Sequence, residues 1–102
     1  MAAVNHLQLE AAVVERESIR YTPAGIPIVS CTLQHRSEVV EAGVRRQVEM
    51  TLQALAAGEL AGALERCELG AVARFAGFLA LRSRNSRTLV FHITELQNIG
   101  KD

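Results

Sequence analysis

Three arginines fall within one six-residue run, Arg82-Ser83-Arg84-Asn85-Ser86-Arg87, and a fourth, Arg74, stands shortly before it. No Asp or Glu occurs between Glu68 and Glu95. Guanidinium groups at this density suit phosphate: each offers a planar fork of N–H donors and keeps its charge at any physiological pH. The chemistry on offer is binding, not bond-making. The potential catalysts are scattered instead. His6, His35, His92, Cys31 and Cys67 are widely separated and match no zinc-ligand spacing. There is no glycine-rich phosphate loop, nucleophile elbow or pair of catalytic carboxylates. Ser37, His35 and Glu38 are neighbours in sequence, which is not how a triad is recognised. No catalytic residue, metal or cofactor is therefore expected, and the chain is not expected to be an enzyme.

The arginine run needs a scaffold. It lies between two apolar segments, Ala71–Leu81 and Thr88–Leu96, rich in Val, Leu, Phe, Ile and Ala. They read as a β-hairpin whose connection is too long for a two-residue turn. A loop on rigid strands can reach a ligand while the strands hold it still. Phe75, Phe78 and Phe91 are expected in the core, with room for one outward ring to stack on a base.

Upstream, His6 to Val13 alternates, with Leu7, Leu9, Ala11 and Val13 on one side. The alternation slips at Val13-Val14, as a β-bulge would produce, and Glu15 to Tyr21 continues more polar. Thr22-Pro23-Ala24-Gly25 fits a tight turn, because Pro pre-sets φ and Gly accepts the backbone angles that close it. Ile26 to Gln34 is a second strand with Val29, Cys31 and Leu33 on one face. His35 to Gly43 is expected as a loop closed by Gly43. Arg45 to Gln53 gives a third strand, with Val48, Met50 and Leu52 inward and Gln47, Glu49, Thr51 and Gln53 outward. A short helix comes next, about Glu59 to Arg66, ending near Gly70. Residues 100–102 read as a frayed tail.

The order is three strands, a helix, two strands. That order predicts an all-β fold with one short helix, a five-stranded OB-fold barrel with its helix between strands three and four. A plain antiparallel sheet with a helix across it is the alternative. In the barrel, the loops joining strands one to two and four to five flank a binding groove. Here they hold Arg20, Tyr21 and the arginine run. The 102 residues suffice for one domain over 1–102 with one core. No apolar run approaches the ~20 residues needed to span a bilayer. With no export signal and only two cysteines, the expected setting is cytoplasmic with reduced thiols. Eleven basic residues balance eleven acidic ones, so only the local cationic hairpin points to a partner.

The segment GAVARFAGFLALRS, residues 70–83, resembles the fourth strand of single-stranded-DNA-binding OB proteins, with Gly70, Val72, Phe75, Gly77 and Leu79 in the usual places. More narrowly, TPAGIP (Thr22–Pro27), LQHRS (Leu33–Ser37), EAGVRRQ (Glu41–Gln47), the Phe91-His92 pair, and Asn5 with Leu7 resemble the primosomal replication protein N family, PriB. The similarity covers essentially the whole chain. It implies a homodimeric OB-fold that binds single-stranded DNA and helps a helicase restart stalled bacterial replication forks. The implied partners are the PriA helicase and, in some bacteria, DnaT.

The family's basic groove maps onto Arg20, Arg36, Arg46, Arg82, Arg84 and Arg87. Two departures stand out. Relatives place aromatics where this chain has Val44 and Glu49, and the loop between the last two strands is shorter. Base stacking is worth about 1–3 kcal/mol per base, so losing those rings should weaken binding or shift it toward the phosphate backbone. Strict alternation puts Arg46 on the Val48–Met50 face, so parity alone favours Arg45. His35 and Arg36 are read as a strand end, and His92 as a strand-face or interface residue. Two functions fit: a DNA-binding module, or a protein-interaction adaptor for a helicase with little DNA affinity of its own.

Overall fold

The computed structural model describes residues 2–99, so the expected tail at 100–102 lies outside the described residues. The strands are β1 (Leu7–Arg16), β2 (Arg20–Tyr21), β3 (Pro27–Glu41), β4 (Val44–Ala57), β5 (Val72–Leu81) and β6 (Leu89–Asn98), with α1 (Glu59–Glu65) between β4 and β5. The sheet runs β1-β5-β6-β4-β3-β2, and β1 also pairs with β3, which closes five strands into a barrel. Four of the five contacts around the barrel are antiparallel; β4 and β6 run parallel through Ala54–Phe91, Leu55–His92 and Ala56–Ile93. The expected OB-fold architecture is present. No helix is long and apolar enough to cross a membrane among the described residues.

Alternating apolar residues fill the barrel. Phe75, Phe91, Leu33, Leu64, Val13 and Val29 are its largest fully buried side chains. α1 closes one end with Ala61 and Leu64. The slip at Val13-Val14 is a true bulge, with the β1–β3 register shifting between Val13 and Glu15. Because a one-residue insertion inverts parity, Arg16 turns inward opposite Cys31. There its Nη1 donates to the Cys67 carbonyl at 2.6 Å and to the Leu64 carbonyl at 3.3 Å. α1 carries no basic residue in its own last turn, so β1 supplies the cation its C-terminus favours.

Three sequence expectations need correction. Residues 35–43 are not a loop: β3 continues to Glu41 and turns through Ala42-Gly43 directly into β4. Both turn residues have positive φ, 53° and 78°, as a type I′ hairpin requires. His35 and Arg36 are therefore mid-strand. His35 Nδ1 donates to the Glu10 carbonyl at 2.7 Å, and its Nε2 shares a hydrogen bond with the Ser37 hydroxyl at 2.8 Å. Second, the polar continuation after the bulge breaks, and Arg20-Tyr21 form a separate short ladder with Ile28 and Pro27. Third, Met50 is not inward but 40 % exposed, because β3 and β4 run past the barrel as a two-stranded arm.

β5 approaches β6 so closely that one residue type fits. A Cβ built on Gly77 would lie 1.8 Å from the His92 carbonyl oxygen, which is backbone and has little room to give. Gly77→Ala is expected to lower stability by roughly 2–3 kcal/mol, seen as a lower urea midpoint with an unchanged slope.

Candidate nucleic-acid interface

Since Val29, Cys31 and Leu33 face the core, the intervening residues of β3 face out. The β3–β4 register pairs Ser30 with Leu55, Thr32 with Gln53, Gln34 with Thr51, Arg36 with Glu49 and Val40 with Arg45. The result is a polar strip running from the barrel wall onto the arm. Gln53 Nε2 donates to Thr32 Oγ1 at 3.1 Å within it. Where the strip meets the barrel lies a cleft of about 330 Å³, lined by Arg20, Ser30, Leu55, Arg82, Val90 and His92, among others. Arg20 reaches it from the segment between β1 and β3, and Arg82 from the end of β5. Arg20 Nη1 donates to Ser30 Oγ at 3.0 Å and lies 3.8 Å from a Glu17 oxygen.

Arg84 and Arg87 stand exposed on the β5–β6 loop. That loop is held by Arg82 N to Thr88 O at 2.9 Å, Ser86 N to Ser83 O at 3.1 Å and Thr88 N to Ser86 Oγ at 2.9 Å. Among the described residues, no carboxylate lies within ion-pair distance of Arg82, Arg84 or Arg87. Arg36 lies on the polar strip, 3.9 Å from Glu49. Arg46 sits on the opposite face of the arm with Val44, Val48 and Met50, and bonds Glu41 at 2.6 Å. Arg74 is held by Glu10 at 2.9 Å. The fold thus joins Arg20 and Arg82 at one cleft, sets Arg36 farther along the same wall and leaves Arg46 on the other side. Arg45, opposite Val40, shares the strip, as strict alternation indicates.

The rings divide differently from expectation. Phe75 and Phe91 are fully buried, but Phe78 faces outward, 38 % exposed, and lies flat on His92. Among the described residues, no three His, Cys, Asp or Glu side chains converge in a way that could hold a metal ion.

Two comparisons bear on this geometry. A family model described as "another single-strand binding protein family" matches residues 5–95. The replication restart protein PriB of Bordetella pertussis is 42 % identical over 97 residues, covering 95 % of this chain and 91 % of its own. The chain belongs to the PriB family.

A solved PriB structure from Ralstonia solanacearum superposes with a TM-score of 0.87 at 48 % identity, covering 95 % of this chain and 99 % of that one. The single-stranded-binding (SSB) domain of a Synechococcus protein has the same fold, with a TM-score of 0.69 at 22 % identity over 96 % of this chain and 99 % of that one. Both thiols of this chain are free and buried. Burial, with the Cys67 thiol adding to it, pushes Cys31 from an ordinary 9.0 up to about 12, against the pull of Arg16. Burial also raises Cys67, opposed by Arg16 and Arg66. Neither is a ready thiolate near neutral pH. A raised folded-state value stabilises fully below the unfolded one, so the Cys31 contribution is intact under pH 9 and fades as pH rises toward 12. The stability gap between the wild-type protein and Cys31→Ala, read from urea midpoints, should narrow across that window.

Proposed function

We propose that this chain binds single-stranded DNA along the polar strip and the Arg20–Arg82 cleft, as a non-enzymatic accessory of bacterial replication restart that stimulates a helicase. The observation that carries this is the convergence of Arg20, on β2, and Arg82, just past the end of β5, on one cleft, with Arg84 and Arg87 following Arg82 on the same loop. Phosphate contacts of this kind give affinity without sequence preference. Relatives named for replication restart and a family model described by single-strand binding support the same reading. The family resemblance extends it to a cytoplasmic homodimer working with the PriA helicase and, where present, DnaT. The adaptor reading is favoured by Glu49, which places a carboxylate on the strip beside Arg36.

Polarisation of a labelled oligonucleotide across salt concentrations tests the proposal. Neutralising about five phosphates on a single strand predicts a slope of log affinity on log salt near −3 to −4. Arg84→Ala with Arg87→Ala should weaken binding alike for all sequences and flatten the slope by about one unit. Arg36→Ala should cost more affinity than Arg46→Ala, because the two guanidiniums sit on opposite faces of the arm. Removing the strip's negative charge with Glu49→Gln should tighten binding. Undetectable oligonucleotide binding, beside helicase capture that survives nuclease, decides for the adaptor.

A further inference from the structure

Phe78 is outward by alternation along β5, where Ala73, Phe75 and Gly77 are buried, and it pairs directly with His92 across the β5–β6 ladder. Its ring and that of His92 lie 4.8 Å apart, only 9° from parallel. With Leu55 and Leu60 they line an open cleft of about 470 Å³ beside α1. Leu55 and His92 also line the cleft that holds Arg20 and Arg82. The aromatic pair and the two guanidiniums therefore share a wall. Ordinary patterning puts a phenylalanine inside, and the exposed one stands next to the Arg20–Arg82 cleft.

A single strand presents two recognisable things, a charged backbone and unpaired π-faces, and proteins answer such strands with cations beside flat rings. We propose that Phe78 and His92 form a stacking platform for one base of the strand whose phosphates Arg20 and Arg82 hold. This rests on the DNA-binding reading above and adds to it where bases, as distinct from phosphates, are gripped. Two flat rings stacked on an open wall offer a face, which fits a base better than the enclosed pocket a peptide side chain favours.

The test compares a labelled oligothymidylate with an abasic oligonucleotide of equal length and charge, using the full chain and its Phe78→Leu and Phe78→Tyr variants. The wild-type protein should prefer the base-bearing strand by roughly 5- to 150-fold per stacked base. Phe78→Leu should cut that preference by about fivefold or more with the salt slope unchanged, and Phe78→Tyr should retain it. If Phe78→Leu binds both strands as the wild type does, the platform is overturned and the DNA-binding reading stands. Loss of helicase capture in Phe78→Leu with an unchanged strand preference also overturns it, making a peptide the occupant. If neither strand binds the wild-type protein, both readings fall.

Discussion

Closure of the sheet by β1 is the constraint on which the rest depends. One ten-residue strand hydrogen-bonds to β5 through Leu7–Ala12 and to β3 through Ala12–Arg16. It can serve both only because the bulge after Val13 bends it from one neighbour to the other. An open sheet would leave the segment carrying Arg20 far from the β5–β6 loop. Closed, the barrel sets their guanidiniums across a single cleft. The same bulge inverts parity, so the half-buried Arg16 faces α1 and donates to the Leu64 carbonyl of its last turn and to the Cys67 carbonyl just beyond it.

The second organising feature is the reach of β3 and β4. Within the barrel their inner faces are buried through Val29, Leu33, Ala54 and Ala56. Beyond it both faces meet solvent, and the pairing continues unbroken to Glu41–Val44. The outer face alternates charge sign, with Arg36 beside Glu49 and Gln47 bonded to Glu38 at 3.1 Å. Exposed pairs of this kind contribute little to stability, so their main effect is to set the local field. The strip is therefore mixed in charge along the arm and at the cleft, where Glu17 offsets Arg20, and is clearly cationic only at the β5–β6 loop.

Much of this is legible in the residues. Alternation locates the strand cores, the Val13-Val14 slip locates the bulge, and alanine-rich sequence after Gln53 locates α1 to within one residue of its end. The arm is not legible, for two physical reasons. Its tip carries Ala42 at positive φ, a conformation that costs an L-residue roughly 1–2 kcal/mol and that no composition rule flags. Its strands also alternate without burial, so polar and apolar residues on both faces read as a loop. Met50 reads as inward for the same reason: its parity is correct but no second layer covers it. Among the candidate site residues, chain order alone places Arg20 and Arg82 at facing loops. Sorting Arg36 from Arg46 requires the register, whereas the outward face of Phe78 follows from β5 alternation, three residues from the buried Phe75, and is masked only by the habit of phenylalanine to be buried.

The unbroken arm has a colloidal consequence. Past Gln34 on β3, and before Ala54 on β4, no described strand pairs with its outer margin, leaving rows of unmatched amides and carbonyls. Such margins template cross-chain pairing and fibrillar growth. Glu38, Arg45, Gln47 and Glu49 interrupt the valines there, acting as gatekeepers for a protein whose formal charge of zero gives it little long-range self-repulsion.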